Sequence, residues 1–189
     1  MKILMLTSSL RSGGAETHIC ELARALAARG HEVLVASSGG DMVSELTRHR
    51  ISHIRLPLNS KRPFGILISA VRLKKLVSTG GFDAVHLHSR TAAFIFRLSM
   101  LGEYAPPTVS TVHAHFKTDL ILKRLSFWGN AAIAVSDDLK YYLSKEYGLY
   151  HLYGKILLLQ QPKAENWNIC PCRDSARAEW RGLLQPFLL

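Results

Sequence analysis

A chain of 189 residues can bury one domain-sized core, and its 48% apolar share is ordinary for a globular protein. No apolar run reaches the length of a membrane-spanning helix. Lysine and arginine number 24 against 14 acids, a formal charge of +10 that attracts polyanions of any kind, from nucleic acid to anionic headgroups and phosphorylated substrates.

The chain opens on Ile3, Leu4, Met5 and Leu6, which have the length and content of a buried strand. The loop Ser8-Ser9-Leu10-Arg11-Ser12-Gly13-Gly14 follows. Beyond it Ile19, Leu22, Ala23 and Leu26 recur at the spacing of one helix face over residues 15–26. Gly30 stands where a left-handed helix end favours glycine, and residues 32–36 begin a second strand. Strand, glycine loop, helix and strand make a βαβ unit that presents bare backbone at a helix N-terminus. The unpartnered first N–H groups there, at the positive end of the dipole, suit an anion or a sugar hydroxyl. The loop spells neither G-x-G-x-x-G nor a Walker A sequence, and a turn that needs positive φ is the competing reading of Gly13 and Gly14.

Residues 41–49 suit a short helix with Met42, Val43 and Leu46 inward. Residues 52–56 alternate as an outer strand does, until Pro57 stops them. Residues 64–77 have helical period, with Leu67, Ala70, Val71, Leu73 and Leu76 predicted on the inner side and Gly80-Gly81 at the end. A strand over 84–88 leads to a helix over 92–101 that Thr91 is placed to cap and Gly102 to close. Pro106-Pro107 forces an extended entry to a strand over 108–113. A helix over 119–127, a strand over 131–135, a helix capped within Ser136-Asp137-Asp138 and running towards Tyr147, and a strand over 155–159 complete the series. This alternation predicts an α/β fold, Rossmann-like and doubly wound, with a mainly parallel sheet and helices on both faces.

After Gln160 the periodicity fails, so residues 1–160 are expected to form the domain and 161–189 an irregular tail. Residues 177–184 suit a turn or two of helix, and the sequence closes on Phe187-Leu188-Leu189. With no secretory leader in the opening residues, a cytoplasmic protein is expected. Cys20 reads as core, while Cys170-Pro171-Cys172 lacks the second pair that a zinc site needs. Without a zinc-finger or RNP motif, nucleic acid is not an expected partner.

Four segments together resemble a known family. Ser12-Gly13-Gly14-Ala15-Glu16 with His31-Glu32-Val33 looks like the opening of the retaining glycosyltransferases of the GT-B fold, the large family 4 group. Phe82-Asp83-Ala84-Val85-His86-Leu87-His88 is similar to the family's fourth strand, Thr111-Val112-His113 to its fifth and Ala134-Val135-Ser136-Asp137 to its sixth. The resemblance covers residues 1–159. It implies two Rossmann-like domains across a cleft, of which this is the N-terminal, acceptor-side half. The family's donor is a nucleotide-sugar, and basic groups and amides rather than a metal or other cofactor stabilise its leaving diphosphate.

By the same resemblance Gly13 and Gly14 would lie against the donor, and His113 matches a histidine that contacts the transferred sugar at the reacting centre. His88 and Ser136 join them as substrate-binding candidates on the cleft side. Glu16 either complements the helix dipole or binds sugar. No carboxylate stands at metal-ligand spacing from His86, His88, His113 or His115, so no metal site is expected. Leu159-Gln160-Gln161-Pro162 departs from the family's Asn-Gly turn at this point, and the paired glutamates of the second domain are absent. The chain is therefore expected to be either truncated before the C-terminal donor-binding domain or half of a split enzyme with that domain as a separate partner, and by itself to be inactive.

The acceptor is expected to be a glycan or a lipid-linked sugar. Lys61, Arg62, Arg72, Lys74 and Lys75, and Lys117, Lys123 and Arg124 beside Phe127 and Trp128, pattern as interfacial helices, so peripheral attachment to an anionic membrane surface is a further expectation. A non-catalytic subunit that docks a lipid or protein partner is the alternative reading.

Overall fold

The computed structural model describes residues 1–116, 120–149 and 155–158. Strands and helices alternate throughout them: β1 (Lys2–Leu6), α1 (Gly14–Ala28), β2 (Glu32–Ser37), α2 (Val43–Arg48), β3 (Ser52–Arg55), α3 (Pro63–Gly80), β4 (Ala84–Leu87), α4 (Arg90–Ser99), β5 (Thr108–Val112), α5 (Leu120–Leu125), β6 (Ala131–Ala134), α6 (Asp137–Tyr147) and β7 (Lys155–Leu158). The strands form one sheet in the order β3-β2-β1-β4-β5-β6-β7, and every neighbouring pair is parallel. The predicted doubly wound architecture is the observed one. The expected tail at 161–189, with its helical turn and two cysteines, lies outside the described residues, as does the domain boundary at 160.

β1 is buried on both sides, as the inner strand of a parallel sheet must be when helices cover both faces. Its side chains alternate between two cores. Ile3 and Met5 pack with Ile19, Ala23 and Leu26 of α1 and Leu46 of α2. Leu4 and Leu6 pack with Ala70 and Leu73 of α3 and Phe96 of α4. A third cluster joins Val112 and Ala134 to Leu139 and Leu143 of α6. The chain proceeds from β1 outwards through β2 to β3, then crosses back to β4, so the sheet order reverses between β1 and β4.

Two local expectations are corrected. Ser89, not Thr91, caps α4: its Oγ accepts from the Ala92 N–H at 3.3 Å and its backbone is extended, while Thr91 lies inside the first turn. The inner face of α3 is Ser69, Ala70, Leu73 and Val77. Leu67 and Val71, predicted to face inward, are 57% and 62% exposed and share the outer side with Phe64 at 75%. This helix carries apolar residues on two faces, so periodicity placed Ala70, Leu73 and Leu76 on the inner side correctly but joined Leu67 and Val71 of the outer side to them.

The two faces of α3 make opposite predictions in denaturant unfolding. Leu73→Ala empties a fully buried site and is expected to cost about 2–5 kcal/mol, whereas Leu67→Ala should fall within about 0.5 kcal/mol of the parent. Equal losses would put Leu67 back in the core.

Candidate functional site

In an open parallel sheet the crevice lies outside the carboxyl ends of the strands, where the order reverses. Here the loop after β1, the N-terminus of α1, and the residues following β4 and β5 meet at that place. Gly13 precedes α1 with φ −179°, an extended value open to any residue, and Gly14 is the first residue of the helix. The positive-φ reading of these glycines therefore fails, and their use is spatial. Both are exposed, and a Cβ on Gly14 would meet no heavy atom within 4 Å. No side chain caps α1, unlike α4 and α6, which Ser89 and Ser136 cap. The Glu16 carboxylate folds back over Gly13 in the first turn.

The glycine loop is held from behind. Leu10, fully buried, donates its N–H to the Gly39 carbonyl at 3.0 Å and accepts from the Met42 N–H at 3.0 Å, and the Ser38 N–H bonds to the Ser8 carbonyl at 3.1 Å. The Ser12 hydroxyl donates to the Asp41 carboxylate and holds it below the usual carboxylate range. Gly40, at φ +153°, sits so close to Leu10 that a Cβ would fall on the Leu10 carbonyl.

Four histidines line the site. His86, within β4, is buried with Nε2 2.7 Å from the Thr111 hydroxyl. His88 continues the ladder just past β4 by donating its N–H to the Leu6 carbonyl at 2.8 Å, and its ring is buried. Its Nδ1 lies 3.4 Å from Nε2 of His113, which is half-buried just past β5. His18 of α1 completes the group, its ring 5.2 Å from that of His113 and 6.1 Å from that of His88. Burial is the first cause in each case and lowers all four proton affinities: His86 to about 3, His113 to about 4, His88 well below the usual value and His18 below it, with mutual repulsion adding to the effect in the first three. At neutral pH these are uncharged rings, each able to donate one hydrogen bond and accept one.

Gly13, Gly14, Glu16, His88 and His113 are thus gathered at one end of the sheet. Ser136, exposed just past the carboxyl end of β6, stands at the same end of the sheet, where its Oγ accepts from the Leu139 N–H at 3.2 Å as the cap of α6. His115 pairs with Asp138 at 3.1 Å, away from the cluster. His18 was missed, because its role depends on a helix face turned toward two strand ends distant in sequence. The one available signal was its place beside the inward-facing Ile19 in the second turn of α1. A separate cavity of about 630 Å³ opens at the opposite, amino-terminal edge of the sheet around Met1, Phe82, Pro106 and the Lys74–Glu103 ion pair, remote from this chemistry.

Residues 12–153 match the family described as Glycosyltransferase Family 4. No curated protein matches the sequence. Among solved structures, a glycosyltransferase from Rickettsia africae ESF-5 is similar at 26% identity and a TM-score of 0.68, covering 82% of this chain and 42% of its own. Anabaena Alr3699/HepE in complex with UDP is similar at 20% identity and a TM-score of 0.64, covering 82% of this chain and 43% of its own. A fragment of sucrose-phosphate synthase from Thermosynechococcus elongatus aligns over all of this chain at 18% identity and a TM-score of 0.67. The last two show the fold. The chain spans less than half the length of the first two.

The buried histidines make stability depend on pH. A histidine whose folded pKa lies below its unfolded value takes up its proton more readily when unfolded. Stability is therefore complete above the ordinary value near 6.5 and is lost as pH falls towards the folded value. For His86, at about 3, the loss from about pH 7 to pH 5 is roughly 2 kcal/mol. Urea midpoints should fall over that range, and the fall should be smaller in His86→Asn; an unchanged slope would remove His86 as its source.

Proposed function

The chain belongs to glycosyltransferase family 4, and from that premise we propose that it forms the acceptor-side domain of a retaining transferase using a nucleotide-sugar donor. The observation that carries this reading is the meeting of an uncapped helix N-terminus and neutral histidines where the sheet order reverses. The first amides of α1, beside the open space at Gly14, suit the growing negative charge on a departing diphosphate once the Glu16 carboxylate turns away from Gly13. His113, uncharged and braced by His88, is placed to hydrogen-bond a hydroxyl of the transferred sugar without adding a cation beside it. The acceptor oxygen bonds to the anomeric carbon as the carbon–oxygen bond to phosphate breaks, and the acceptor's proton leaves with the diphosphate. The UDP held by the Anabaena neighbour supports a nucleotide donor.

The donor pocket is assigned to a C-terminal domain, and the 189-residue chain by itself is proposed to bind ligand without turning it over. Transfer assays with UDP-sugars should show no turnover by the chain alone and turnover after a family 4 C-terminal domain is joined to it. In the joined enzyme His113→Ala should lower kcat by about 100-fold. Undiminished transfer by that variant would sink the assignment.

One observation favours a lipid-linked acceptor over a soluble glycan. Phe64, Leu67 and Val71 form an exposed apolar stripe along α3, edged by exposed Lys61, Arg62, Arg72 and Lys75, and α3 contains no acidic residue. Apolar side chains framed by cations suit the surface of an anionic bilayer. No helix among the described residues is long and apolar enough to cross one. In the second expected interfacial segment Phe127 and Trp128 pack against the cores and Lys123 pairs with Glu146 at 2.6 Å, while Arg124 and Leu125 are exposed. Phosphatidylglycerol vesicles should sediment the chain, phosphatidylcholine vesicles should not, and Phe64→Ser with Leu67→Ser should release it. Retention by the double variant would rule out this face.

A further inference from the structure

We propose that His18, His88 and His113 form a binding site for one divalent transition-metal ion of the zinc class. One ring nitrogen from each lies within 4.8 Å of the other two. Zinc holds nitrogen ligands at about 2.0–2.1 Å, so two imidazoles on a tetrahedral ion stand about 3.3 Å apart. His88 Nδ1 and His113 Nε2 are already at 3.4 Å. The other separations, up to 4.8 Å, are ones that a rotation of the half-buried His18 side chain would have to close.

The site is built rather than accidental. Its ligands come from three elements, α1 and the ends of β4 and β5, and the buried member is fixed through its backbone to Leu6. The rings are uncharged at neutral pH, the form that binds metal, because burial disfavours their protonation. Three imidazoles without a carboxylate select zinc, cobalt, nickel or copper and discriminate against magnesium and calcium, which want oxygen. Three protein ligands leave a fourth position for water, and Gly14 borders open space at the same end of the sheet.

Two of these residues are also the sugar contacts of the proposed transferase. On that reading an ion here withdraws His88 and His113 from the sugar and competes with substrate. The ion site stands or falls independently of transfer, because binding is read without any donor.

The probe is cobalt(II), titrated into the 189-residue chain near neutral pH, with Cys170→Ser and Cys172→Ser present to remove thiolate ligands. The expected result is the visible absorption of low-symmetry, nitrogen-bound cobalt, saturating at one equivalent and abolished by added zinc. His18→Ala, at a half-buried position, should weaken binding by about tenfold or more, while His49→Ala at an exposed position should leave it unchanged. Separate transfer assays on the chain joined to a family 4 C-terminal domain test the donor reading. No cobalt spectrum, or one indifferent to His18→Ala, would overturn the site and leave the three rings as a hydrogen-bonded cluster.

Discussion

The parallel hydrogen bonding of β1 between β2 and β4 is the constraint on which the other features rest. Once β1 is enclosed on both edges and both faces, its chain must leave the sheet at its carboxyl end and return by a helix laid along one face. The crossovers through α1 and α2 use one face, and the return from β3 to β4 through α3 uses the other. The reversal of sheet order between β1 and β4 follows, and with it the crevice to which α1 directs its N-terminus. The bond from the His88 N–H to the Leu6 carbonyl extends the same ladder one residue beyond β4. Fold and site are joined at that residue.

The same enclosure sorts the charge. The chain is strongly basic, yet the rings at the crevice are neutral because they are buried beside one another. The cations stand elsewhere, including the margins of the outer face of α3. A basic protein thus offers uncharged hydrogen-bonding groups where ligand chemistry is proposed and positive charge where a surface is proposed. Long-range attraction and short-range recognition occupy separate parts of one domain.

Strand and helix alternation was legible because each apolar run had a length and boundary of its own, and the edge position of β3 was written in its alternation and Pro57. The inner face of α3 was legible only in part, at Ala70 and Leu73 but not at Leu67 and Val71. A helix apolar on two sides gives the same period whichever side is buried, and only its packing partners decide. Ser89 and Thr91 offered the same chemistry to a helix start, and the extended backbone of Ser89 decided between them. Gly13, Gly14, His88 and His113 carried their importance in motifs, whereas His18 acquires its neighbours only from the sheet order. For Ser136 the sequence offered a cap within Ser136-Asp137-Asp138, and the hydroxyl does cap α6.

The close approach of Gly40 to Leu10 has a thermodynamic consequence. Main-chain bonds on both sides of that contact fix the loop after β1 before any ligand arrives. A molecule docking against the first turn of α1 meets backbone whose freedom was surrendered when the domain folded. The ordering of this loop is therefore not a cost that such a molecule would have to meet on binding.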